Sequence, residues 1–104
     1  MYKAIEPKSA HNFIQEHTVT IVDIRDPDSF DADHLNDAQH VTNENIEEFI
    51  DKSDLDQPLL VYCYHGNSSQ SAADYFVEQG FEDVYHLVGG IEAWRSSGLP
   101  IYST

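Results

Sequence analysis

The sequence contains few basic residues and almost no cysteine. Lys and Arg together number 5 against 19 Asp and Glu, which gives a formal net charge of −14 at pH 7. Nucleic acids and anionic membrane surfaces bind proteins through positively charged surfaces, so we expect no nucleic-acid partner and no membrane partner. The 1 cysteine, Cys63, excludes an internal disulfide and, by itself, a zinc site of the cysteine type.

Long apolar segments are also missing from the sequence. No stretch approaches the roughly 20 apolar residues of a transmembrane helix, and residues 1–6 lack the apolar core of a signal peptide. The length of 104 residues is that of one ordinary domain. We therefore expect a single cytoplasmic domain over residues 1–104.

Short β-branched segments alternate with amphipathic segments along the chain. After a short apolar start at residues 2–5, the segments predicted to be extended are residues 19–24, a brief piece around Val41, 59–62 and 84–87. The segments predicted to be helical are residues 7 to about 17, a short helix or turn from 26–27, 44 to about 51 with Asn43 as N-cap, 69–79 and 91–97. This alternation predicts an α/β fold with a mostly parallel central sheet and helices on both faces.

Cys63 directly follows the predicted strand 59–62, at the end where ligands bind in such sheets. The next residues include Gly66, Asn67, Ser68 and Ser69, which are types that let a backbone turn its N–H groups inward. A helix N-terminus at the end of that turn would lower the thiol pKa from about 8.5 toward about 3.5–7.5. The alternative is a cysteine that only fills the core, as free cysteines usually do.

Two other kinds of cysteine chemistry, and a metal site, fit the sequence poorly. A phosphatase loop has Arg six positions after its cysteine, where this chain has Ser69, and no Lys or Arg occurs between Lys52 and Arg95. A cysteine protease could pair Cys63 with His65, but a peptide-binding cleft is hard to fit in 104 residues. His34 and His40 lack the spacing of metal ligands, so we expect no metal.

Four separated segments resemble the rhodanese family, sulfurtransferases that carry sulfur on a cysteine persulfide. The segments are an Asp-x-Arg motif at 23–25, a stretch at 30–40 in which Asp33 replaces the usual Gly, the strand and loop around Cys63, and Gly89-Gly90 with Trp94, Gly98 and Pro100. They extend over roughly residues 4–100 in the family's order. The resemblance implies a rhodanese fold for nearly the whole chain.

The resemblance also implies a function, and it is strongest to the single-domain bacterial thiosulfate sulfurtransferases of the family. In this interpretation Cys63 is the catalytic sulfur carrier, and thiosulfate is the sulfur donor. Cyanide or a small thiol, such as that of reduced thioredoxin, accepts the sulfur, and no cofactor is required. The loop whose backbone amides would hold the persulfide comprises Tyr64, His65, Gly66, Asn67, Ser68 and Ser69.

Two alternatives to that function remain open. The chain could be a persulfide relay that receives sulfur from a partner protein and shows little thiosulfate activity. It could also be an inert interaction domain of the same fold. Many family members bind thiosulfate with a basic residue near the end of the loop, where this chain has Gln70 and serines.

Several other residues have both a functional and a structural interpretation. Arg25 and Asp23 could shape the floor of the site, but we favour a structural ion pair with a neighbouring carboxylate. Trp94 is predicted to anchor the last helix in the core. His86 is interpreted as a surface residue or a hydrogen-bonded core residue.

The side chains of the loop after Cys63 also allow two roles each. His65 could support the thiolate through its charge, or it could be only a polar loop residue. Asn67, Ser68 and Ser69 could donate side-chain hydrogen bonds to the sulfur, or they could cap the helix that follows.

Overall fold

The alternating segments of the chain form one parallel sheet with helices around it. The structure is a computed structural model and describes residues 1–103. In chain order its elements are β1 (Lys3–Ile5), α1 (Pro7–Glu16), β2 (Thr20–Asp23), α2 (Pro27–Ala32), β3 (Gln39–His40), α3 (Ile46–Lys52), β4 (Leu59–Tyr62), α4 (Ser68–Glu78), β5 (Val84–Leu87) and α5 (Gly90–Ser96). The strand order is β1-β5-β4-β2-β3, and every neighbouring pair is parallel. The predicted α/β class with a parallel sheet is confirmed.

The central strand β4 supplies side chains to both faces of the sheet, because successive side chains of a strand point in opposite directions. Leu60 and Tyr62 join an apolar cluster to which α1 and α5 contribute. Leu59 and Val61 join a second cluster, on the other face, to which α3 and α4 contribute. The sheet is therefore covered on both faces, as predicted. Within residues 1–103, no helix has both the length and the apolar character needed to cross a membrane.

Trp94 lies in the core at the end of the chain. Its side chain packs in the cluster with α1, and the residue is 3% exposed. The indole Nε1–H donates a hydrogen bond of 2.7 Å to the carbonyl of Pro100. This contact ties the segment after α5 to the helix, in agreement with the interpretation of Trp94 as a core anchor.

The predicted N-cap of α3 is wrong. The helix begins at Ile46 with Asn45 in the cap position, whereas the sequence suggested Asn43 and a helix from residue 44. The Asn45 side chain instead holds the preceding turn, accepting from the N–H of Thr42 at 2.7 Å and donating to the carbonyl of His40 at 3.0 Å. The residue pattern suggests any nearby Asn as a cap, but the turn after β3 decides which one occupies the cap position, and the Asn45 side chain makes no capping hydrogen bond there. The strand predicted around Val41 likewise lies slightly earlier, at β3.

A buried ion pair joins the end of β2 to the segment that follows it. Asp23 is fully buried, and its carboxylate receives the Arg25 guanidinium, with Nη2 at 2.8 Å from Oδ2. The main-chain N–H of Arg25 donates to the same carboxylate at 2.8 Å. The structural interpretation of Arg25 and Asp23 is supported by these contacts.

We predict that Arg25→Leu strongly destabilises the protein. The substitution leaves the Asp23 carboxylate buried with no counter-charge, and breaking a buried ion pair from one side costs about 3–5 kcal/mol. Urea denaturation followed by circular dichroism measures the change in free energy of unfolding. The control is Lys52→Leu, which removes an exposed pair with Glu48 on α3 and should barely move the midpoint. Equal effects of the two substitutions would contradict the prediction.

Candidate active site

The sulfur of Cys63 lies at the carboxyl end of β4, among backbone N–H groups. Cys63 follows the last residue of β4 and is 6% exposed. The N–H of Gly66 lies 3.2 Å from Sγ, and the N–H of Ser69, in the first turn of α4, lies 3.3 Å from it. The thiol is buried, but it is in contact with hydrogen-bond donors rather than only with hydrocarbon.

These donors set the ionisation of the thiol. Burial raises the pKa of Cys63, because a thiolate is poorly solvated away from water. The Ser69 side chain and the N–H groups of Ser69, Gly66 and His65 lower it, and together they outweigh burial, so the pKa lies below its ordinary value. A depressed pKa increases the fraction of reactive thiolate at neutral pH.

The N-terminus of α5 determines which way the loop turns. The N–H of Ile91 donates to the carbonyl of Cys63 at 3.0 Å, and the N–H of Glu92 donates to the carbonyl of Tyr64 at 3.1 Å. The N–H and C=O of a trans peptide point in opposite directions. Because α5 holds the Tyr64 carbonyl, the N–H of His65 is directed away from α5 and toward the sulfur.

Two glycines allow the loop and α5 to approach this closely. Gly90 has φ +64°, and a Cβ on it would lie 2.4 Å from the carbonyl oxygen of Tyr64. Gly66 has φ +90°, and a Cβ there would lie 2.8 Å from the nitrogen of Gly89. Residues that carry a Cβ rarely adopt this left-handed backbone conformation, and at these two positions the Cβ would also collide with main-chain atoms. Gly90 is the first residue of α5 and lies against the loop.

The side chains of the loop are arranged differently from its N–H groups. Tyr64, His65, Asn67 and Ser68 are exposed. The His65 ring packs beside the Tyr64 ring, with centroids 5.4 Å apart. His65 lowers the pKa of the Cys63 thiol through its main-chain N–H. Asn67 is in the N-cap position of α4, but its side chain makes no capping hydrogen bond. Of the loop side chains singled out in the sequence, that of Ser69 is the one that lowers the pKa of Cys63.

Two arginines lie close to the loop, and both are paired with carboxylates. The guanidinium carbons of Arg25 and Arg95 lie 5.4 Å and 5.8 Å from the ring centre of Tyr64. Arg95 contacts the carboxylate of Asp33 at 2.6–3.0 Å, and Arg25 approaches it at 3.5 Å. The hydrogen bond from Arg95 is the main cause that lowers the pKa of Asp33.

The Asp33–Arg95 pair was not predicted from the sequence. The two residues are 62 positions apart, so no local pattern connects them. The one available hint was that Asp33 stands where the rhodanese family usually has Gly.

His86 extends the site below the loop. Its Nδ1 lies 3.0 Å from the hydroxyl oxygen of Ser69, and both residues are buried. His86 is thus a hydrogen-bonded core residue, one of the two possibilities suggested by the sequence. The sequence did not predict that its hydrogen-bond partner is Ser69, whose N–H contacts the sulfur of Cys63.

Comparison with known proteins agrees with this geometry. A family described as "Rhodanese-like domain" matches residues 6–97. The chain belongs to the rhodanese family. Relatives in that family include the thiosulfate sulfurtransferase GlpE of Pseudomonas aeruginosa, which is 52% identical over 95 residues, covering 91% of this chain and 86% of that protein. The GlpE of Vibrio cholerae is 47% identical over 97 residues, covering 93% of this chain and 92% of that protein.

The fold of the chain is also found in rhodanese structures of low sequence identity. A crystal structure of a rhodanese-related protein from Thermoplasma volcanium superimposes with a TM-score of 0.86 at 22% identity, covering 99% of this chain and 100% of that one. The rhodanese resemblance expected from the sequence is therefore confirmed, including its likeness to bacterial thiosulfate sulfurtransferases.

We predict that Gly90→Ala impairs the thiol, whereas Gly98→Ala does not. Both glycines have a left-handed backbone, at φ +64° and +73°, but a Cβ on Gly98 would meet nothing within 4 Å. Both substitutions therefore incur the backbone cost of about 1–2 kcal/mol, and only Gly90→Ala displaces the Tyr64 carbonyl. We expect the pKa of Cys63 to rise by about one unit in Gly90→Ala, which slows alkylation by iodoacetamide about tenfold at a pH below the pKa. Equal alkylation rates in the two variants would contradict this role of α5.

We also predict the pH dependence of the thiol. Because folding lowers the pKa of Cys63, its alkylation rate should rise with pH and reach a plateau at a lower pH than that of the same chain unfolded in urea. The unfolded thiol should titrate near its ordinary value of about 8.5. Mass spectrometry of the alkylated chain gives both profiles. A midpoint for the folded protein at the same pH as that of the unfolded chain, or at a higher pH, would contradict the prediction.

Proposed function

We propose that this protein is a thiosulfate sulfurtransferase that carries sulfur as a persulfide on Cys63. The observation that carries the proposal is the position of the Cys63 sulfur, 3.2 Å and 3.3 Å from the N–H groups of Gly66 and Ser69 at the end of a parallel strand. About half of the residues are identical to those of proteins named thiosulfate sulfurtransferase. These two findings support the same chemistry independently.

The first step loads the enzyme with sulfur. The Cys63 thiolate attacks the outer sulfur of thiosulfate, a new S–S bond forms, and the S–S bond of thiosulfate breaks. Sulfite leaves with the bonding electron pair, and an anionic persulfide remains on Cys63. The lowered thiol pKa favours this step because the thiolate is the nucleophile.

The second step returns the enzyme to its thiolate form. A nucleophile attacks the terminal sulfur of the persulfide, and the electron pair of the S–S bond returns to the Cys63 sulfur. Cyanide becomes thiocyanate in this step, and a thiol becomes a persulfide. Because sulfite leaves before the acceptor reacts, the kinetics should be ping-pong.

The loop would stabilise the charge that each step places on sulfur. Fixed N–H donors in a site with little water stabilise an anion more than mobile water does, because they need no reorganisation. The N–H groups directed at Sγ belong to His65, Gly66 and Ser69. The amides that hold the thiolate would therefore lie beside a second sulfur attached to it.

The binding of thiosulfate must overcome the net charge of −14. Most of the acidic residues are exposed to solvent, and salt screens charges beyond about 8–10 Å. The loop N–H groups act at hydrogen-bond distance, so we expect their local field to dominate.

A persulfide relay is a second candidate function, and one observation favours it. The arginines next to the loop, Arg25 and Arg95, already bind the carboxylates of Asp23 and Asp33. The loop itself, residues 63–69, contains no Lys or Arg. Thiosulfate is a dianion, and a site with little free positive charge binds it weakly. Such a site favours a donor protein that delivers the sulfur from its own persulfide.

We further propose that the protein works in the cytoplasm with a thiol acceptor such as reduced thioredoxin. A mechanism that depends on a free thiolate requires a reducing compartment, where thiols stay reduced. A thiol acceptor would be abundant there. Cyanide then serves as the acceptor in the laboratory assay.

We predict that Cys63→Ser abolishes sulfur transfer. In a thiosulfate:cyanide assay the wild type should produce thiocyanate, and Cys63→Ser should fall to background because serine cannot form a persulfide. Mass spectrometry of the intact chain after thiosulfate treatment should show one added sulfur atom on the wild type and none on the variant. Circular dichroism of the variant checks that it is folded.

The outcomes separate the candidate functions. Turnover that survives Cys63→Ser would contradict the proposed mechanism. A sulfur adduct that forms from a protein or small-molecule persulfide but not from thiosulfate would favour the relay. No adduct from either donor would favour an inert domain.

A further inference from the structure

Ser69 contacts both the Cys63 thiol and a buried histidine. Its N–H lies 3.3 Å from Sγ, and its side chain is the largest of the causes that lower the pKa of Cys63. The Ser69 oxygen lies 3.0 Å from Nδ1 of His86. Ser69 is fully buried, and His86 is 6% exposed. Ser69 therefore lies between the two groups, with its N–H on the sulfur and its hydroxyl on Nδ1 of His86.

The strand β5 places His86 on the correct face for this contact. Val84, two residues earlier, packs in the cluster that contains the residues of α4, and side chains two apart in a strand share a face. His86 is paired with Ala4 of β1 and Val61 of β4, so its backbone is held on both sides. Its ring meets the Tyr2 ring edge-on, with centroids 5.5 Å apart.

The hydroxyl of Ser69 has a single hydrogen, and two groups compete for it. A thiolate can only accept a hydrogen bond. A neutral imidazole carries its proton on one nitrogen and accepts at the other. If the proton is on Nε2, Ser69 donates to Nδ1 and turns oxygen lone pairs toward the sulfur. If the proton is on Nδ1, the ring donates to Ser69, whose hydrogen is then free for the thiolate.

We propose that His86 is a positioning residue for Cys63: its Nδ1–H donates to the Ser69 hydroxyl and thereby directs the hydroxyl hydrogen to the sulfur. The arrangement transfers no proton and breaks no bond. It orients one donor toward an anion. The negative charge of the thiolate is what favours the Nδ1–H form over the alternative.

The surroundings of His86 keep its ring neutral, as this role requires. Burial lowers the pKa of His86, because the charged form is poorly solvated there. The Ser69 hydroxyl from α4 and the ring of Tyr2 before β1 both face the His86 ring, and neither carries a charge at neutral pH. The hydroxyl of Tyr2 is 3.3 Å from Oε1 of Gln70.

This inference rests on the proposed function, because a positioned thiolate matters only if Cys63 carries sulfur. The experiment that tests it does not depend on sulfur transfer. The quantity measured is the pKa of Cys63, obtained from the pH dependence of iodoacetamide alkylation in the absence of thiosulfate. Loss of sulfur transfer in another experiment would leave this pKa unchanged. A normal thiocyanate yield would not by itself establish the role of His86.

The variants are His86→Phe, His86→Asn, Ser69→Ala and the double variant S69A/H86F. His86→Phe removes the ring nitrogen while keeping a planar ring, and we expect the thiol pKa to rise by about one unit, which slows alkylation about tenfold at a pH below the pKa. The amide N–H of Asn can replace the donor at Nδ1, so His86→Asn should recover most of the rate. In the Ser69→Ala background, the added His86→Phe should change the rate less than about twofold, because His86 acts through the hydroxyl.

A merely structural role for His86 would give a different result. The pKa would then rise equally with and without the Ser69 hydroxyl, and Asn would not recover the rate. Either of these results would overturn the proposal, as would an unchanged pKa in folded His86→Phe. Urea denaturation of each variant shows whether it is folded.

A measurement on the unmodified protein tests the proposal even if the variants do not fold. Nitrogen NMR shifts of labelled histidine distinguish the Nδ1–H from the Nε2–H form of a neutral ring. With Cys63 ionised, His86 should be found as Nδ1–H. Finding the Nε2–H form in that state would overturn the proposal.

Discussion

Two main-chain hydrogen bonds from α5 to the carbonyls of Cys63 and Tyr64 hold the candidate site in shape. They use the N–H groups at the start of a helix, which have no partner inside the helix itself. Because α5 holds the Tyr64 carbonyl on one side of the loop, the N–H of His65 in the same peptide turns to the other side, where the sulfur lies. Gly90 is necessary because any side chain there would displace the Tyr64 carbonyl.

The same arrangement explains how a strongly acidic protein can hold an anionic sulfur. Its donors are backbone N–H groups and one hydroxyl, and the lysine and arginine side chains take no part. The arginines near the loop are bound to Asp23 and Asp33 and hold the surrounding segments together. Local dipoles at hydrogen-bond distance set the thiol pKa, whereas the exposed acidic residues act from farther away through water and salt.

Ser69 connects the loop to the core of the protein. Through its N–H it belongs to the first turn of α4, and through its hydroxyl it contacts His86 on β5. In the proposed role of His86, a change in the packing of β5 would reach the sulfur through Ser69, so that the sheet would do more than support the loop.

The sequence by itself determined the fold class, the rhodanese family and the position of Cys63 at the end of a strand. These depend on local periodicity and on motifs whose residues are close in the chain. The cap of α3, the Asp33–Arg95 pair, the packing of Gly90 on the loop and the partner of His86 were decided only by the tertiary structure. Each joins residues from different elements, and a hydrogen bond between distant segments leaves no periodic pattern in the sequence. Its distance and direction exist only after the sheet and helices have packed.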